Sequence, residues 1–222
     1  MIVPRIIKNI IKKLGLVDIC IKSFIRIHDI SYRIIDELVI LKNNNIHPKH
    51  RLMNYHDFFI NNIRKDSTVL DIGCGIGAVA FDISKKASKV VAVDLDKNNL
   101  KIAREKFSAN NIEYIYADAT KYNFKDKFDY IIISNVLEHI KNKISFLKKI
   151  KLLAPEILIR VPMINRDWLT LYKKEKGLPY FLDNTHFIEY DEETFKKEMK
   201  RVDLQIKSYS VQFGEIWAVV KK

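Results

Sequence analysis

The chain is poor in the residues that staple, hinge or span. It has two cysteines, six glycines, five prolines and two tryptophans in 222 residues. Cys20 and Cys74 cannot form a disulfide framework or a four-thiolate zinc site, and a reducing compartment suits them, so a cytoplasmic location is expected. No apolar run approaches the roughly 18 residues of a membrane span. The opening MIVPRIIKNIIKKLG threads lysines through its isoleucines and has no small-residue cleavage site, so no secretory signal is expected. Repeats and low-complexity tracts are missing too. What is present is ordinary for a soluble globular protein: 48% hydrophobic and 30% charged residues exclude wholesale disorder. A chain of this length buries roughly 70% of its unfolded surface and needs no staple.

Arginine is scarce within a basic chain. The net charge is +12, yet thirty of the 39 basic residues are lysines. Residues 1–65 hold 12 Lys/Arg against 5 Asp/Glu, a surplus of 12 − 5 = +7. Such a balance attracts polyanions. Phosphate and base-edge recognition nevertheless favours the guanidinium fork, and the lysines are scattered along helix-like faces instead of forming a block. A solvated basic surface is the first expectation and a nucleic-acid partner the second.

Apolar residues at Val3, Ile6, Ile7, Ile10 and Leu14 share one helical face, with Gly15 as a stop. A second helix is expected from Asp18, a candidate N-cap, to Leu41. The first helix is amphipathic. Packing on its own domain is the commoner fate, and weak membrane-surface contact is the alternative. The polar turn Lys42-Asn43-Asn44-Asn45 and His47-Pro48 follow. His47, His50 and His56 lack a carboxylate or thiol at ligand spacing, so no metal is assigned, and Arg51 is a candidate for a ligand carboxylate.

From Ser67 the pattern changes. β-Branched runs at Val69–Ile72, Val90–Val93, Ile112–Ala117, Tyr130–Ile133 and Ile157–Val161 alternate with helical stretches Ala78–Lys86, Lys97–Ala109 and Lys141–Leu153. Runs without polar alternation suit strands covered on both faces, and strand–helix alternation implies a parallel sheet. Leu204–Val211 and Glu215–Val220 flank a tight turn and read as an antiparallel hairpin. The expectation is a doubly wound α/β sheet, with a helical N-terminal cap over residues 1–52 and the main domain over 53–222.

Three of the six glycines lie in Asp71-Ile72-Gly73-Cys74-Gly75-Ile76-Gly77, between the first strand and its helix, where open α/β sheets bind ligands. Gly73, Gly75 and Ala78 also satisfy the dinucleotide pattern G-x-G-x-x-A, so a nicotinamide or flavin enzyme is an alternative. The surroundings of the loop argue against it. Asp71 ends the strand where a pyrophosphate would be repelled and an ammonium attracted. Asp94, seventeen positions after Gly77, ends the second strand in place to accept ribose hydroxyls. Asp118 ends the third, where a carboxylate accepts an exocyclic adenine amine. An amine, a ribose and an adenine without phosphate describe S-adenosylmethionine.

Asp71–Ala80, Val90–Asp94, Ala117–Ala119 and Phe128–Ile140 together resemble the successive motifs of class I S-adenosylmethionine-dependent methyltransferases. VLDIGCGIG and FDYIIISNVLEHI look most like the small-molecule branch, met in quinone biosynthesis and in sugar and natural-product tailoring. The resemblance implies a Rossmann-like, seven-stranded sheet. It places Asp71, Gly73, Cys74, Gly75 and Gly77 at the methionine part, Asp94 and Leu95 at the ribose, and Asp118 with Ala119 at the adenine. Asn135 and Val136 would line the methyl side. It implies methyl transfer to an O or N atom of a small-molecule acceptor. RNA methylation and non-catalytic cofactor binding are the alternatives.

Methyl transfer from a sulfonium is chiefly a proximity task, and only a hydroxyl acceptor needs a base. Three residues are candidates. His139 follows the fourth strand, in a Leu-Glu-His segment that resemblance makes partly architectural. His186, with Glu189 as its orienting carboxylate, lies in the long connection 162–190, which reads as a substrate-covering insertion. Arg160 and Arg166 either pair with an acidic substrate or form salt bridges with Asp167 or Glu189.

Overall fold

The computed structural model describes residues 3–44 and 46–222; Asn45 of the polar turn lies outside them. The chain divides into two compact units, Met1–Asn54 and Tyr55–Lys222.

The first unit is helical. α1 spans Arg5–Lys13, with Lys12 and Lys13 in its last turn, where cations suit the helix dipole, and Gly15 follows its C-cap Leu14. α2 runs Val17–Lys42, and the N-cap position falls on Leu16, not Asp18. Asp18 sits inside the first turn, where its charge still complements the dipole although it caps nothing. α3 is the short Lys49–Met53. His47 is tied to Asp36 at 2.7 Å. Among the described residues, no helix is long and apolar enough to cross a membrane.

The second unit opens with α4, Tyr55–Asn62, and is built on seven strands: β1 Thr68–Ile72, β2 Lys89–Asp94, β3 Ile112–Tyr116, β4 Tyr130–Ser134, β5 Glu156–Pro162, β6 Gln205–Gln212 and β7 Glu215–Lys221. Their order is β3-β2-β1-β4-β5-β7-β6. The first five are parallel, while β7 enters antiparallel between β5 and the edge strand β6. Helices α5 Ala78–Ser84, α6 Lys97–Lys106 and α7 Lys143–Ile150 connect them, and α9 Glu192–Arg201 precedes the hairpin. The connection after β5 contains a helix of its own, α8 Trp168–Glu175, capped by Asp167.

Alternation along each strand gives the sheet two apolar faces. One carries Leu70, Ile72, Ile131, Ile133, Ile157 and Ile159 in a core shared with Phe146, Leu147 and Ile150 of α7 and Phe195 and Met199 of α9. Residues of the opposite parity include Asp71, Ile132, Leu158, Arg160 and Trp217, joined across the strands by register. The chain order reverses between β1 and β4, so a crevice opens beyond their carboxyl ends.

Candidate functional site

The glycine loop is held by β2. Gly73 and Cys74 both donate their amides to the Val93 carbonyl, at 2.7 and 3.1 Å. The Gly75 amide donates to Asp94 Oδ2 at 2.8 Å, while Asp94 Oδ1 accepts from the Asp96 amide. Three consecutive amides that a phosphate cradle would need are therefore already engaged. A Cβ on Gly75, at φ +54°, would meet nothing within 4 Å, so open space lies there. Gly77 differs. At φ +83° it starts α5, and a Cβ there would come within 2.9 Å of the Ala103 side chain and strike Tyr114. Its role is close packing of α5 on α6 and β3.

Asp71 is 1% exposed, and its Oδ2 has no partner. Burial, and then the nearby Asp94 charge, push its pKa up to about 7. A buried carboxylate with an unpaired oxygen is costly by itself and favours a cationic group beside it. Cys74 is buried beside it. Burial and the two aspartates push its thiol up, out of the range of a nucleophile.

A cavity of about 540 Å³ lies at these strand ends. Gly73, Asp94, Leu95, Asp118, Ala119, Val136 and His139 line it. Ile72 and Val93 add apolar surface. Asp118 Oδ1 accepts from the Thr120 hydroxyl at 2.6 Å and its amide at 3.0 Å. The Thr120 hydroxyl thus holds this carboxyl below its ordinary range, ionised and accepting. Residues from the start of α7, among them Asn142, Ser145 and Phe146, also line the cavity. Sequence reasoning missed them because no motif marks which turn of α7 faces the crevice.

Glu138, His139, His186 and Glu189 cluster beside the cavity, and His139 is the one of them that lines it. The His139 and His186 rings meet edge to face at 4.6 Å. His139 Nδ1 faces the Thr185 hydroxyl at 2.8 Å, and His186 Nδ1 faces Glu189 Oε1 at 3.0 Å. Glu189 is fixed in turn by the Leu182 amide and by Arg166. These bonds hold its carboxyl below the ordinary range against the opposing effect of burial. Burial first, and the neighbouring His186 second, lower the His139 pKa and keep that ring neutral. Glu138 is 1% exposed, neither carboxylate oxygen has a partner, and burial pushes it up to about 8. The sequence showed this glutamate beside His139 without revealing that its carboxylate is buried and unpaired. Phe187, whose amide donates to the Glu138 carbonyl, brings the 162–190 connection onto the cavity.

Asp71, Cys74, Gly75, Gly77, His186 and Glu189 are not among the residues that line the cavity, and three further candidates are engaged elsewhere. Asn135, in the left-handed region at φ +54°, turns its amide toward Arg160 and Glu215. Arg160 is buried, paired with Glu215 through both Nε and Nη2, and stacked 3.7 Å over the Tyr55 ring. It serves that cluster, a partner choice the sequence did not indicate. Arg166 takes the salt-bridge alternative, on Glu189.

A family model described as a methyltransferase domain matches residues 69–155. The chain is 29% identical over 194 residues to "N-methyltransferase 4" of Papaver somniferum, covering 68% of this chain and 54% of that one. It is 27% identical over 147 residues to a "Ubiquinone biosynthesis O-methyltransferase" of Pelagibacter ubique, covering 65% and 61%. The chain thus spans little more than half the length of these curated relatives. Its fold matches the crystal structure of magnesium protoporphyrin IX methyltransferase from Synechocystis PCC 6803 with bound SAH, at TM-score 0.60 and 18% identity, over 76% of this chain and 82% of that one.

Proposed function

We propose that the chain, whose residues 69–155 match a methyltransferase domain, is a class I S-adenosylmethionine-dependent methyltransferase that methylates an oxygen or nitrogen of a small-molecule acceptor. One observation carries the reading: the loop amides are bonded to Val93 and Asp94, while the buried Asp71 carboxylate at the end of β1 has its Oδ2 unpaired. That arrangement repels a diphosphate and suits the amine of an amino-acid moiety. When bound, S-adenosylmethionine supplies a methyl group on a positively charged sulfur.

The remaining roles follow the cavity's lining. Asp94 and Leu95 stand where a ribose would rest, and Asp118 with Ala119 where an adenine amine would be accepted. Val136 and His139 border the methyl side, and the 162–190 connection reaches the cavity through Phe187, with the His186–Glu189 pair behind His139. A hydroxyl acceptor must lose a proton, and the Glu138–His139–His186 group, which meets the cavity through His139, is able to manage it. A cavity of about 540 Å³ falls in the size range of small-molecule sites. The Ser134-Asn135-Val136-Leu137 segment, lacking the Asn/Asp-Pro-Pro-aromatic run of base-amine and protein-glutamine methyltransferases, supports the same choice of acceptor.

Two measurements test this. Calorimetry should show S-adenosylhomocysteine binding and NADH not; the reverse overturns the cofactor assignment. Incubation with methyl-labelled cofactor and fractionated cell extract should place the label in small metabolites, and label confined to RNA or protein overturns the acceptor class.

A further inference from the structure

Glu138, His139 and His186 each offer a ligand atom, and the three atoms lie within 4.8 Å of one another. Among the described residues this is the group of histidine, cysteine and carboxylate side chains so arranged. Two facts separate it from a catalytic histidine–carboxylate pair. Such a pair explains His186 on Glu189, but leaves a second imidazole packed against the first and a third, buried carboxylate with both oxygens unpaired. And both rings have Nδ1 occupied by an anchored oxygen, Thr185 Oγ1 on one and Glu189 Oε1 on the other, which leaves Nε2 of each to bind. Those anchors are themselves held, Thr185 by Asp183 and Glu189 by Arg166. Histidines oriented through the far nitrogen by a fixed oxygen are the usual support of a metal centre.

We infer that Glu138, His139 and His186 bind one divalent transition cation of the zinc, iron(II) or manganese class beside the cavity, which His139 lines. Two imidazoles and one carboxylate suit these ions better than magnesium or calcium, and three protein ligands leave a coordination position open. The inference rests on the proposed function and narrows it to an oxygen acceptor. The acceptor hydroxyl binds the cation through its oxygen and its O–H bond breaks, the proton leaving to water. The freed oxygen pair then forms the bond to the methyl carbon, while the C–S bond breaks with its electrons remaining on the sulfonium sulfur.

The test uses the full, tag-free chain, stripped with chelator and titrated with Zn²⁺ or Co²⁺ alone. One equivalent should bind, with Co²⁺ developing visible d–d absorption of imidazole ligation. Glu138→Gln and His186→Ala should each weaken binding at least tenfold. Glu189→Gln, which touches no ion, should weaken it roughly 10–100-fold by releasing the His186 ring. His28→Ala, on α2, should change nothing. Circular dichroism identifies variants that fail to fold, and if both ligand variants do, Glu189→Gln together with His139→Gln decides. Binding below one equivalent, or unchanged affinity in folded variants, overturns the inference. S-adenosylhomocysteine titrated into the same samples separates the two claims: cofactor binding without metal defeats the cation site alone, and metal binding without cofactor defeats the function alone.

Discussion

The proposed choice of ligand turns on single residues, Asp71 and Gly75. Asp71 is raised to about 7 by burial, above its unfolded value of 3.8, so the folded chain holds a proton that the unfolded chain releases. The sign follows: between about pH 4 and 7 the unfolded state binds fewer protons, and stability falls as pH rises, by up to about 1.4 kcal/mol per unit. Asp71→Asn should flatten that decline in urea melts of the ligand-free chain at pH 5 and 7.5; an unaltered slope would show that another group causes it. Gly75 concerns the ligand instead of the fold. Its left-handed φ of +54° is one that aspartate tolerates, and its missing side chain would meet open space. Gly75→Asp should therefore melt close to the parent while losing at least 100-fold in S-adenosylhomocysteine affinity. Calorimetry showing the parent affinity would remove the loop from the site.

At the scale of elements, caps and packing set the stability that holds the site still. Asp191 caps α9 by accepting from the Thr194 amide at 2.7 Å, and α9 buries Phe195 and Met199 in the core. Asp191→Ala should cost about 1 kcal/mol, seen as a lower urea midpoint at unchanged m-value; no shift would mean the helix end is held by its packing alone. Most elements were legible because each core strand is a short run rich in apolar, β-branched residues with a turn after it, as in Val90–Val93. The crossing order of the hairpin was not, since β6 and β7 have similar strand character and only tertiary pairing puts β7 against β5. α8 escaped too, because Trp168–Glu175 shows its aromatic residues more plainly than a helical face. Within the site, strand-end carboxylates announce themselves by position. Arg160 does not, because its stacking on Tyr55 and pairing with Glu215 join residues far apart in the chain. Nor does the convergence of His139 with His186, which depends on how the 162–190 connection returns to the sheet.

Over the whole molecule, the surplus of +12 attracts any polyanion, and the question is what that attraction achieves. It comes mostly from lysine, a strongly hydrated point charge that neutralises phosphates without reading them. Binding of this kind releases counterions and weakens steeply with salt whatever the sequence. RNA should accordingly bind the chain at low ionic strength and lose at least tenfold in affinity between roughly 50 and 200 mM salt, equally for unrelated sequences. Methyl transfer to a small acceptor follows a different rule, because the cavity is lined largely by uncharged groups and its chemistry is short-ranged. Its rate should change far less over the same salt range. Filter binding and a labelled-methyl assay, run side by side at each salt concentration, measure both responses. Parallel losses, with label appearing in one RNA sequence and not another, would make the basic surface a substrate-reading device and displace the small-molecule acceptor.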